Sequence, residues 1–235
     1  MSKEIAKKEN NQVAVPEYLK QFQGEGAEDI SADMIEKSFL SMAHEDKEGV
    51  KLGEWYDSAT GESFGKEVVV TVCKISRTWR RFNADFQLDA QSKDGMNWDN
   101  GDALNEGEKW QCAFIDMFVL INESNSAIPF IVSFKSTSFR TGKKLATTIA
   151  KFTKGNGEPI FARNYTLYTE EAKKGIKTYS LAKYKLNSGF NDEETVNLAA
   201  RVRKMVQNID PVMTEMTDSE PDNSSDVDFG EDGLD

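Results

Sequence analysis

One histidine, two cysteines and five prolines are all that 235 residues hold of these types, and each scarcity removes a class of protein. Cys73 and Cys112 stand 39 positions apart, in no C-x-x-C pair and with no second histidine to complete a ligand set. A zinc site on the usual spacings is excluded, and so is a disulfide framework. No long apolar run exists: Cys112 to Ile121 is interrupted by Asp116, and the opening Met1-Ser-Lys-Glu-Ile-Ala-Lys-Lys-Glu-Asn10 lacks the apolar stretch of a secretion signal. The expectation is a soluble, cytoplasmic protein without membrane contact. Phosphate-binding and dinucleotide glycine patterns and the H-E-x-x-H zinc pattern are absent. His44 lies in Ala-His-Glu-Asp with no nearby Ser or Cys for it to activate. Asp94, Asp99, Asp102 and Glu106, and the pair Glu45 and Asp46, match no calcium-loop spacing and read as solvated carboxylates. The chain is expected to be no enzyme and to need no metal or cofactor.

Charge of one sign is also missing, locally. The net charge of −11 is an average over three segments: residues 1–65 carry 7 bases and 14 acids (−7), residues 66–209 carry 22 and 16 (+6), and residues 210–235 carry no base and 10 acids (−10). The middle segment alone is suited to attract phosphates. The last one, poor in apolar groups and self-repelling, is expected to be a disordered acidic tail. Its few anchors, Phe229 and Leu234, sit among Asp226, Asp228, Glu231, Asp232 and Asp235, and this end is assigned to partner binding.

The pattern along the chain predicts an arm, a β domain and a tail. Residues 1–65 read as an N-terminal acidic arm packed on the core, with a short helical turn from Pro16, extended chain over Phe39 to Met42, and a turn at Ser58-Ala-Thr-Gly61. From Lys66 the β-branched run Val68 to Val72 opens a strand continued through Phe82 and on to Leu88. Asp89 to Glu108 reads as a long loop. Strands are expected over Trp110 to Ile121 and Pro129 to Phe139, then a helix from Thr141 to Phe152 with Leu145, Ile149 and Phe152 on one face. Further strands, Ile160 to Thr169 and Ile176 to Leu186, are joined by Glu170 to Gly175. A last helix is capped near Asn191 and striped by Thr195, Leu198, Val202, Val206 and Ile209. This order predicts a mainly β, α+β fold over 66–209: an OB-like small β-barrel with an inserted helix and a C-terminal helix.

Within that domain, cations and rings alternate. Lys74, Arg77, Trp79, Arg80, Arg81 and Phe82 fall within nine residues, and strand alternation places Arg77, Trp79 and Arg81 on one face. A second group is Lys135, Phe139, Arg140, Lys143 and Lys144; Arg163, Tyr165 and Lys183 follow. Single-stranded nucleic acid requires this mixture, because cations meet its phosphates while its bases stack on rings at about 1–3 kcal/mol each. Phe114, Phe118, Phe130, Phe134 and Trp110 lie in strongly apolar strands and are assigned to packing.

A basic β domain followed by an acidic tail resembles the bacteriophage replicative single-stranded-DNA-binding proteins. The stretches Gly53-Glu-Trp-Tyr-Asp-Ser-Ala-Thr-Gly-Glu-Ser-Phe-Gly65 and Phe134-Lys-Ser-Thr-Ser-Phe-Arg-Thr-Gly-Lys-Lys-Leu145 are also similar to segments of such proteins. The resemblance implies an OB fold, sequence-independent binding of single strands during replication, repair or recombination, and a tail that contacts replication or recombination proteins; homo-oligomerisation is compatible with it. One departure is the terminus Gly-Leu-Asp235, where related tails often end in an aromatic residue. The competing expectation is an acidic phage interaction protein without nucleic-acid affinity, such as a DNA mimic, a host-enzyme inhibitor or a virion accessory. A metal-dependent nuclease comes third.

Overall fold

A computed structural model describes residues 37–83, 87–99, 110–122, 128–174, 177–207 and 209. Three short strands come first, β1 (Ser38–Met42), β2 (Trp55–Asp57) and β3 (Ser63–Gly65). The long β4 (Glu67–Phe82) follows, then β5 (Leu88–Ser92), β6 (Trp110–Ile121) and β7 (Phe130–Phe134). A 3-10 turn (Ser136–Ser138) leads into helix α1 (Phe139–Ala150), which runs on as a π-helical turn (Lys151–Gly155). The hairpin β8 (Asn164–Lys174) and β9 (Lys177–Leu186) and the helix α2 (Glu193–Met205) complete the order. The strands lie in the sequence β3-β2-β1-β7-β6-β4-β8-β9, with β5 on β4. This is a mostly β fold, a strongly curled half-barrel sheet with two helices.

β4 is the hub, because its 16 residues are long enough to pair with β8 through their first third, with β6 from Val70 to Phe82 and with β5 at the end. Its register against β6 passes from Val72↔Val119 to Lys74↔Phe118, so Cys73 is an extra residue, a β-bulge. A bulge bends the strand and switches which parity faces inward. Before it Val68, Val70 and Val72 point into the main core; after it the odd-numbered Ile75, Arg77 and Trp79 oppose Met117, Ile115 and Ala113.

The two faces carry separate cores. On the inner one Val70, Val72, Met117, Val119, Phe134, Tyr165 and Leu167 meet Leu145 and Ile149 of α1. Gly142 makes that docking close: a Cβ there would stand 2.6 Å from Cβ of Phe134. On the other face Ala199, Val202 and Val206 cover Cys73, Phe118, Leu120 and Ile131. Asp192 caps α2, accepting from the Thr195 N–H at 2.7 Å. Asn191, expected at that position, instead donates to the Phe161 carbonyl at 2.9 Å and to Thr71 Oγ1 at 3.1 Å. The other end of α2 is tied down by Lys74, whose Nζ donates to the carbonyls of Val206, Gln207 and Ile209 at 2.9, 3.2 and 2.6 Å.

Several element boundaries differ from the sequence expectations. The segment from Asp89 is no loop at its start, since β5 pairs Ser92, Gln91 and Ala90 with Trp79, Arg80 and Arg81. The strand expected to reach Phe139 ends at Phe134, where Ser138 Oγ closes a turn on the Lys135 carbonyl at 2.8 Å and Phe139 opens the helix. The strand expected from Ile160 starts at Asn164, and Glu170 to Lys174, expected as a connection, continues it in register with β9 as far as Lys174↔Lys177. Residues 38–65 contribute three strands hydrogen-bonded to the sheet through β1 and β7. The remainder of the expected arm, residues 1–36, and the tail from 210 lie outside the described residues.

Candidate functional site

The nine-residue cluster of β4 divides between surface and interior. Arg77 is exposed and lies over the half-buried Trp79 ring at 5.8 Å. Backbone also lies against that ring: a Cβ on Gly95 would stand 3.0 Å from Cδ2 and Cε2 of Trp79. Gly95 sits in a turn that Asp94 organises by accepting from the Met96 and Asn97 N–H groups, both at 2.8 Å. Those bonds hold the Asp94 carboxyl well below the usual carboxylate range. Arg81 is buried, bonded through Nε to Asp89 at 2.5 Å and lying over Trp98 at 5.1 Å. Lys74 serves the end of α2, as described above. Phe82 is in the core.

Arg80 is wholly buried, so it is no surface phosphate contact. Its Nη2 donates to Asp116 Oδ2 at 2.6 Å, and Ser133 Oγ donates to Oδ1 at 2.5 Å. Burial pushes the Asp116 carboxyl up and the Arg80 guanidinium down, with their mutual attraction opposing both. The Arg80 guanidinium lies over Phe114 at 4.3 Å, and Lys135 approaches the same ring at 6.0 Å. Burial, aided by the charge of Arg80, lowers the Lys135 pKa. Tyr165 is buried, its phenol pushed up to about 12, and Phe139 packs on the inner core. Lys183 pairs with Glu170 at 3.3 Å.

What the fold does expose as a coherent surface is α1 and its π-helical extension. Arg140, Lys143, Lys144, Thr147, Lys151 and Lys154 recur at helical spacing and are all exposed, and residues 139–155 contain no acid. The buried positions of the same helix, Gly142, Leu145 and Ile149, alternate with them, which is why the cations face away from the sheet. Among the described residues these five cations have no ion pair. The helix spans roughly 25 Å at 1.5 Å per residue. Cross-strand register places Arg77 beside Ile115 and Ile115 beside Phe134, on which Gly142 packs, so Arg77 lies two strands from the start of the cationic face.

At the other end the π turn meets Arg163. Its guanidinium makes a bidentate pair with Glu158, 2.7 Å from Nε to Oε2 and 3.0 Å from Nη2 to Oε1, which raises its pKa. It stacks on the rings of Phe152 at 4.5 Å and Phe190 at 4.3 Å. Phe190 is 66 % exposed. The sequence reading assigned no ligand role to Lys151, Phe152, Lys154 or Phe190. The run Lys151-Phe-Thr-Lys154 repeats the cation and ring mixture noted elsewhere and was a legible signal; the approach of Phe190, 27 positions from Arg163, was not.

Gly61-Glu-Ser63-Phe-Gly65 has the spacing of a hydrolase nucleophile turn, but Ser63 lies in β3 and donates to Glu54 Oε2 at 2.8 Å, with no strand-to-helix turn around it. Among the described residues no group of three metal-ligating side chains converges. No helix there is long and apolar enough to cross a membrane. Asp226, Asp228, Phe229, Glu231, Asp232, Leu234 and Asp235 lie outside the described residues.

No curated protein and no solved structure matches the chain significantly. A family model does, over residues 7–210. That span covers most of the chain, from before β1 to the end of α2, and the chain therefore belongs to the family of Pam3 phage gp34-like proteins.

Proposed function

We propose that this protein is a non-enzymatic single-stranded-DNA-binding protein of phage replication, repair or recombination, acting in the host cytoplasm. The observation that carries the reading is the face of α1: five exposed cations without a single acid over 139–155, flanked by Arg77 and Trp79 on one side and the Arg163 stack on the other. Phosphates spaced along an extended strand need such a row, and bases need rings near it. The connectivity supports an OB reading of the barrel. β4, β6 and β7 form a meander, α1 follows the third strand, and β8 returns to pair with β4 before β9. The acidic tail recruits replication or recombination partners and competes with DNA for the same cations.

The test is titration of the full chain with labelled oligo-dT and a matched duplex. Tight binding with preference for the single strand is expected. Each phosphate neutralised contributes about −0.7 to the slope of log affinity against log salt. The double substitution Lys143→Glu and Lys144→Glu is therefore expected to flatten that slope by at least about 1.4. No binding at low salt would favour instead an acidic interaction protein, the reading suited to the net charge of −11.

A further inference from the structure

We infer that Phe190 is a fixed base-stacking platform, with Lys151 and Lys154 beside it as phosphate contacts; the inference rests on the reading as a single-strand binder and names where on the molecule a base is held. Burial does not account for this ring. At 66 % exposed, Phe190 removes little apolar surface from water, yet the chain around it is firmly placed. Gly189 precedes it at φ +88°, a conformation that side chains rarely adopt. Asn191 follows, its N–H donating to the Ala162 carbonyl at 2.8 Å and its side chain to the Phe161 carbonyl at 2.9 Å. The ring itself rests on the Arg163 guanidinium at 4.3 Å.

Arg163 is not available to a phosphate in the ordinary way, because its Nε–Nη2 edge is taken by Glu158 and its Nη1 donates to the Gly189 carbonyl at 3.5 Å, the residue before Phe190. Its role is that of a buttress. The ion pair holds the guanidinium plane, Phe152 supports it at 4.5 Å, and Phe190 is held outward. A ring already fixed before binding loses little conformational freedom when a base stacks on it. The charge for the adjoining phosphate is on the same π turn that carries Phe152, where Lys151 and Lys154 are exposed and, among the described residues, without ion pairs. Glu158 cancels Arg163, so the platform is locally neutral and its cationic rim lies to one side, as a base with its own phosphate requires. The β6–β7 surface away from α1, where oligonucleotides meet many OB folds, is filled here: Phe114, Asp116, Phe118, Leu120 and Ile131 are all buried.

The experiment compares the full-length protein with Phe190→Ala, Phe190→Leu and Phe190→Trp by oligo-dT anisotropy over a salt series. Because the ring is exposed, the variants keep the fold, which circular dichroism and urea unfolding check. The alanine and leucine variants are expected to bind roughly five- to hundredfold more weakly with an unchanged salt slope, since no phosphate contact is removed, while tryptophan preserves or raises affinity. Wild-type protein that binds oligo-dT while Phe190→Ala binds equally well overturns the platform alone. A change in self-association with unaltered oligo-dT affinity overturns it too, making the ring a protein contact. Wild-type protein that fails to bind at all overturns both this inference and the reading beneath it.

Discussion

Asp116 shows how one side chain can change the meaning of a sequence cluster. Read along β4, Arg77, Arg80 and Arg81 are equivalent cations; in the fold, a carboxylate 36 positions away takes Arg80 into the interior with Ser133 completing the site. Replacing Asp116 by Ala takes from the buried Arg80 guanidinium the carboxylate that it meets at 2.6 Å. A loss of about 3–5 kcal/mol is expected from breaking a buried pair on one side, read as a fall in the urea midpoint at unchanged slope. An unaltered midpoint would mean that the site tolerates the charge. Arg81 is diverted by Asp89 in the same way. No local pattern reports such pairings, since they depend on which strands become neighbours. Arg140, Lys143 and Lys144 were legible as surface cations because the apolar period of their own helix already assigns them outward.

At the scale of elements, α1 is set by the contact of Gly142 with Phe134. Alanine in place of glycine would normally favour a helix by about 1 kcal/mol, but here its Cβ would meet Cβ, Cγ and Cδ2 of Phe134 at 2.6, 2.7 and 2.9 Å. Overpacking of this kind costs typically about 1–3 kcal/mol, so Gly142→Ala is expected to lower the thermal midpoint by several degrees. A midpoint raised by the substitution would show that helix and sheet can separate without cost. The strong periodic elements, β6, β7 and both helices, were legible from composition. β5 was not, because Leu88, Ala90 and Ser92 make a weak alternating pattern and its pairing partner supplies the order. The outer half of the β8–β9 hairpin was hidden by its polarity: Glu170 to Lys174 reads as a connection, and backbone register alone makes it a strand. The bulge at Cys73 escaped too, since Val-Cys-Lys has nothing in its side chains that marks an extra residue.

For the molecule as a whole, the distribution of charge matters more than its sum. A middle segment at +6 and a terminal one at −10 attract each other over distances of the order of the ~10 Å screening length at 0.1 M salt. Deleting residues 210–235 is expected to tighten oligo-dT binding at low salt, with the advantage fading as salt is raised; equal affinity of the two forms throughout a salt titration would remove the competition from the proposal. The grip of Lys74 on the carbonyls of Val206, Gln207 and Ile209 bears on how that competition scales. It fixes the point from which the last 26 residues depart, and backbone dimensions limit their reach to roughly 90 Å. A competitor tethered at a fixed origin is present at an effective molarity set by geometry. On the proposed reading as a single-strand binder, dilution would therefore leave self-occlusion unchanged, and the supply of exposed DNA strands, rather than the abundance of the protein, would decide how many binding faces are open.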